Sequence, residues 1–165
     1  CSGLAALSGP RHGGATARAY ALLAEACDAD SPRDAIAARW QRGDDLPGFG
    51  HALYPDGDPR AAELLARLRA QCGDAPAMPK LEATITATEE VSGQRPNIDL
   101  MLAAICLVHD LPATPALVMF AAGRLAGWLA HALEQQDQGR LIRPRARYAG
   151  VEPDGAAMEP HAGDR

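Results

Sequence analysis

Two of the five histidines stand among glycines, His12 in GPRHGG and His51 in PGFGHALY. Glycine turns the backbone where other residues cannot and lets it approach a ligand closely, so either turn could hold an imidazole at a cleft rim. Asp99, in PNIDLMLAA, sits in the first turn of an otherwise apolar helix. Arg124 lies amid LVMFAAGRLAGWLA, where a buried guanidinium would need an anionic partner, either a structural carboxylate or a bound ligand. Arg60 follows the Asp58-Pro59 helix start, and Arg143, Arg145 and Arg147 crowd GRLIRPRARYAG. Arginine presents a planar fork suited to carboxylates and phosphates. Taken singly, most of these residues have a plainer reading. The histidines read as loop residues, Asp99 as an acid favoured by a helix N-terminus, and Arg60, Arg143, Arg145 and Arg147 as solvated surface, whereas Arg124 is harder to dismiss. Neither histidine turn is a phosphate loop, because the Lys and Ser/Thr of that pattern are absent.

The elements that would position these groups read as helices almost throughout. Residues 15–28 place Ala15, Ala19, Leu22, Leu23 and Cys27 at helical spacing. Ser31-Pro32 opens a helix through Trp40, and Asp58-Pro59 opens another to about Cys72 that buries Leu64, Leu65 and Leu68. Between them, residues 43–57 form a loop punctuated by glycine and proline. A helix from about Pro79 to Val91 follows, and then the loop Ser92–Pro96 delivers Asn97 as N-cap of a helix through about His109. Thr114-Pro115 starts the longest helix, to about Gln136. It is apolar enough to raise a membrane span, but Arg124 near its middle and His131 beyond favour a buried helix of a soluble protein. Gly123 and Gly127 share one face of it, and a close helix or subunit contact would offset their cost of about 1 kcal/mol each. From Gly139 the chain becomes an arginine-rich loop, and residues 151–165 are polar and expected to be disordered.

Composition narrows the class. The chain has 165 residues, 47% hydrophobic but only 4% aromatic, so its core must come from Ala, Leu, Ile, Val and Met, which favours packed helices. A net charge of -5 supplies no general attraction for nucleic acid. Lys80 is the single lysine, and the arginine bias also fits GC-rich codons. The cysteines Cys1, Cys27, Cys72 and Cys106 form no metal-type pair, and three fall in apolar helical patterns where Cys acts as a small hydrophobe. A reduced, cytoplasmic setting is the simplest expectation. The first residue is not Met, no basic-apolar signal pattern follows it, and a start inside an apparent helix suggests that the natural chain extends upstream.

Each motif is weak alone; their order is specific. GPRHGGA, PGFGHALYPDGDPRA, PNIDLMLA, MFAAGRLAGWLAHALEQ and LIRPRARYAG, taken in that order over residues 8–150, resemble citrate synthases. The likeness is to bacterial citrate synthase-like proteins with the GFGHxLYPDGDPRA form. The resemblance implies an all-α fold. Residues 1–12 would end a large-domain helix, and 13–110 would be the small domain with the CoA loop and catalytic residues. Residues 111–150 would be the returning large-domain helix and arginine loop, with 151–165 as tail. It implies that Asp99 takes a proton from acetyl-CoA, that His12 stabilises the resulting enol, and that His51 polarises the ketone of oxaloacetate. Arg60, Arg124 and Arg143 would bind carboxylates, Arg143 across a homodimer interface. Leu46, Pro47, Gly48, Phe49, Gly50 and Ala52 would surround the adenine end of CoA. Neither metal nor cofactor is implied, since acetyl-CoA is a substrate.

Two departures qualify the likeness. The family's PNVDFYSG is PNIDLMLA here, and the sequence contains no LHADHE-like strip of the kind that helps to bind oxaloacetate. Most large-domain helices are also absent, so the helix at 114–136 should find another surface, in a homodimer or on a companion large-domain chain. Two alternatives to citrate synthesis stay open: an inactive, truncated relative that binds a partner, or the same chemistry on other substrates, such as 2-methylcitrate synthesis or the reverse, lyase direction.

Overall fold

The computed structural model describes residues 2–9, 13–141 and 143. Among them are seven helices and no strand: α1 (Ser2–Leu7), α2 (Gly13–Asp28), α3 (Pro32–Gln41), α4 (Pro59–Cys72), α5 (Met78–Ser92), α6 (Ile98–Val108) and α7 (Thr114–Gln138). The all-α expectation holds, and so do the helix starts written as a capping side chain followed by proline. Ser31 accepts from Asp34 N at 3.2 Å with Pro32 in the first turn, and Asp58 accepts from Arg60 N with Pro59 in the same place. These caps satisfy amide donors that a helix start otherwise leaves bare. Pro115 lies in the first turn of α7, but its cap position is Ala113, which lends no side-chain acceptor. α2 starts two residues earlier than its apolar pattern, at Gly13.

The core is centred on α6. Leu100, Met101, Ala103, Ala104 and Cys106 have no exposed surface, and α2, α4 and α7 all pack on this helix. α3 lies against α5, and α2 joins both halves through Leu22, Leu23 and Ala26. Of the three leucines expected inside α4, Leu68 is buried while Leu64 and Leu65 are half-buried, because they sit where α4 faces the edge of the cluster. Likewise Ala15 and Cys27 are only half-buried on α2. Lys80 reaches from α5 to Cys27 O and Ala29 O at the C-terminal end of α2. A cation there meets the carbonyls that the helix leaves unpaired.

α7 departs most from expectation. It is exposed rather than buried: Val118, Leu125, Leu129 and Leu133 are 61%, 47%, 62% and 65% exposed. Only its N-terminal part, through Ala116, Met119 and Phe120, joins a small cluster with Leu102 and Cys106. Farther along, α1 touches it where Gly3 meets the Trp128 ring. Gly123 faces open space and Gly127 lies against the Arg124 guanidinium, so neither glycine serves a helix contact among the described residues. Among the described residues, α7 is the one helix long and apolar enough to cross a membrane.

Candidate functional site

Asn97 ties two loops to one helix. Its side-chain oxygen accepts from Asp99 N at 3.0 Å and Leu100 N at 3.4 Å, capping α6. Its amide Nδ2 donates to Gly50 O at 2.8 Å. Backbone bonds add to this: Gly50 N to Arg95 O at 2.8 Å, and Asn97 N to Gly48 O at 2.9 Å. The turn carrying His51 and the helix start carrying Asp99 are therefore one fixed unit. Gly48 has φ +92°, and a Cβ there would sit 2.8 Å from Leu100 Cδ1 and 3.0 Å from Ala19 Cβ. This glycine is demanded by packing on α6, whatever else the loop does.

Asp58 is the hub of the polar cluster. It has no exposed side-chain surface, and its carboxylate takes Arg60 Nε at 2.9 Å and Nη2 at 2.8 Å in a two-pronged pair. It also accepts Arg60 N and, across from α6, Ile98 N, each at 3.0 Å. Burial pushes the Asp58 carboxyl up, but hydrogen bonds from the Arg60 side chain and backbone, the Arg60 charge and the Ile98 amide together bring it below its ordinary value. Arg60 is held above its own, first by the Asp58 hydrogen bond, against burial, with Asp58, Tyr54 and Asp99 charge adding to it. The carboxylate of Asp99 therefore acts electrostatically on Arg60.

His51 faces Arg60. Leu53 N donates to His51 Nδ1 at 3.1 Å. The ring's Nε2 lies 3.4 Å from Arg60 Nη2. The contact holds an imidazole nitrogen against a guanidinium nitrogen, and the ring tautomer sets the direction of the hydrogen bond between them. Tyr54 supports them from behind, its ring 4.8 Å from the imidazole and 5.5 Å from the guanidinium carbon.

Arg60 also lines a cleft of about 320 Å³ with Ile98, Leu102, Met119, Phe120, Gly123 and Arg124. A volume in this range, mostly apolar with two converging cations, suits a small anionic ligand. Arg124 is exposed, not buried as the surrounding apolar residues suggested, because the face of α7 that bears it opens to this cleft and to solvent. The structure thus sets Arg60 beside His51 on one side and beside Arg124 and Ile98 in the cleft on the other, while His51 and Asp99 are not among the residues that line that cleft. Arg143 is exposed past the end of α7 and does not line the cleft. His12 lies outside the described residues, as do Cys1, Arg145, Arg147 and the tail at 151–165. Of the expected CoA loop, Leu46, Gly48 and Phe49 are buried and Ala52 is exposed. Leu46, Pro47 and Phe49 line a second cleft, about 530 Å³, with Trp40 and Arg18.

Comparison with known proteins gives the fold a family. The family model "Citrate synthase, C-terminal domain" matches residues 1–145. The chain belongs to the citrate synthase family. It is 38% identical over 153 residues to a citrate synthase of Haloferax volcanii, a match covering 90% of this chain and 40% of that protein. It is 34% identical to a 2-methylcitrate synthase of Shewanella oneidensis, covering 91% and 41%. Among solved structures, a citrate synthase of the archaeon Thermoplasma acidophilum, in ternary complex with carboxymethyl coenzyme A and oxaloacetate, superposes with a TM-score of 0.70 at 29% identity. That match covers 94% of this chain and 44% of the other. This citrate synthase-family chain spans about two fifths of the length of the curated relatives it matches.

Two residues of this family member's site escaped sequence reading. Asp58 and Asn97 were legible only as helix caps, yet one orients Arg60 and the other anchors the His51 turn. A cap aspartate with an arginine two positions on was the available signal for the first. Nothing local to Asn97 announces its bond to Gly50, which is 47 residues away.

Proposed function

We propose that this chain supplies the catalytic half of a condensing enzyme of citrate synthase type, joining acetyl-CoA to oxaloacetate to give citrate and CoA. Asp99 removes a methyl proton from acetyl-CoA, and His12 hydrogen-bonds the thioester oxygen as the enol forms. The enol carbon attacks the oxaloacetate ketone, whose oxygen is polarised by His51. A thioester α-proton is only weakly acidic, so a carboxylate abstracts it when the developing oxygen charge is met at once. Arg60, Arg124 and, from a second subunit, Arg143 hold the keto acid's carboxylates. Leu46–Gly50 and Ala52 take the nucleotide end of CoA. The observation that supports this reading is the contact of His51 Nε2 with Arg60 Nη2 at 3.4 Å, Arg60 in turn lining a cleft with Arg124.

In the same reading, α1 and α7 belong to a large domain and α2–α6 form the small one. The exposed face of α7 is covered by large-domain helices or a second copy rather than by lipid. Arg124 near its middle and a family match that runs to residue 145 support this. The working compartment is cytoplasmic, and no nucleic acid is involved.

The test is release of CoA from acetyl-CoA by the whole gene product carrying this sequence, alone and with an upstream large-domain half supplied. Release should require oxaloacetate. Asp99→Asn should then lower kcat by about 10²-fold or more at nearly unchanged substrate affinity. Full activity in that variant would exclude Asp99 as the base, and absent turnover with tight association to the supplied half would favour an inactive binding subunit. The 34% identical 2-methylcitrate synthase favours a second reading, in which propionyl-CoA is the acyl donor. One methylene shifts preference by only about 10- to 200-fold, so the ratio of kcat/KM for the two acyl-CoAs decides between them.

A further inference from the structure

Cys72 and His109 form a pair that condensation does not use. Cys72 ends α4, His109 is the residue that follows α6, and Sγ lies 3.8 Å from Nε2. That distance is within reach of a thiol hydrogen bond, and with its proton on Nδ1 the imidazole presents Nε2 as acceptor. Cys72 is half-buried at the margin of the core, and His109 is exposed beside it. The other described thiols lack this arrangement. Cys106 is fully buried, and burial pushes its thiol up, with only the Ala116 amide opposing. Burial likewise raises Cys27, partly countered by Lys80. A thiol with an adjacent proton acceptor and solvent access is the one that reacts.

We propose that Cys72 is a modification site for small-molecule disulfides, with His109 as its proton acceptor. His109 takes the thiol proton, and the Cys72 thiolate attacks one sulfur of the disulfide. The S–S bond of the reagent breaks as the new Cys72 mixed disulfide forms, and the departing thiolate takes the proton back from His109. One cysteine is oxidised and half of the reagent is reduced, so the exchange balances without another oxidant. The pair joins the far ends of the two helices whose N-terminal turns bear Arg60 and Asp99. With 14 and 11 residues, these helices set it about 21 and 16 Å from those turns. The adduct therefore forms away from the cleft, and the inference stands apart from the condensation reading.

The test is timed exposure of the full chain, bearing Cys1→Ser, to oxidised glutathione, with acid quenching and mass mapping of each cysteine peptide. Cys72 should gain the adduct about tenfold or more faster than Cys27 or Cys106. His109→Ala should slow that step about tenfold, and free imidazole should restore part of the rate. Equal rates at Cys72 and Cys27, or an unchanged rate in His109→Ala, would overturn the proposal. Labelling of Cys106 reports unfolding in the same digest. Should His109→Ala expose it, His109→Asn is read in its place against the same two criteria.

Discussion

Asp58 meets Arg60 in an unequal partnership: the carboxylate has no exposed side-chain surface, whereas 47% of the arginine side chain is exposed. Solvent screens the arginine end, so the pair contributes less than a fully buried one. The carboxylate also accepts amides from the first turns of α4 and α6, and replacing it uncaps α4 and takes the acceptor from the Ile98 amide, while Asn97 still caps α6. Asp58→Ala should cost about 2 kcal/mol in urea-unfolding experiments. The sign of its pH dependence follows from the lowered folded-state value. On acidification the unfolded chain takes up the proton first, near the ordinary 3.8, so the contribution is complete above that pH. It is lost as pH falls through 3.8 toward the lower folded value. Asp58→Asn should flatten this part of the stability curve between neutral and acid pH. A slope identical to that of the parent chain would show that the carboxylate is not held as its contacts imply.

At the scale of elements, α6 is a platform whose N-terminus faces the cleft and whose body fills the core. Its cap residue does two separable things, capping α6 and holding the Gly50 carbonyl. Asn97→Ala removes both and should destabilise by about 2 kcal/mol. Asn97→Asp keeps the acceptor for the α6 amides but cannot donate to Gly50 O, so it should lose only about half as much. Hydrogen exchange separates the two effects. In Asn97→Asp the amides of Gly50–Leu53 should exchange faster while those of Leu100–Ala104 keep their protection. Equal protection of the loop in both proteins would mean that the backbone bonds to Arg95 and Asn97 suffice to fix His51.

At the scale of the molecule, α7 carries an apolar stripe of Val118, Leu125, Leu129 and Leu133 that the described residues leave largely uncovered. Apolar surface of this extent drives association in water. The isolated chain should therefore exceed monomer mass in light scattering at micromolar concentration, and Leu129→Glu with Leu133→Glu should return it toward monomer. Because both leucines are more than three-fifths exposed, the midpoint of thermal unfolding at low concentration should change little. A monomer before substitution would mean that the stripe needs a chemically different cover.

Helix identity was legible without coordinates because it depends on local signals. Ser31-Pro32, Asp58-Pro59 and Asn97 each cap a helix where the residues say so, and the period of α2, α4 and α6 marks the faces that meet. The order of five motifs was enough to find the family, since it is a property of the chain and not of its packing. What only the tertiary structure decided is which partners those residues take. An apolar neighbourhood in sequence suggested that Arg124 and α7 are buried, but burial requires a second surface, and the described residues do not supply one for most of that helix. The pairing of His51 with Arg60, the bond from Asn97 to Gly50 and the contact of Cys72 with His109 arise where separate helix ends converge, and helical periodicity carries no record of that convergence.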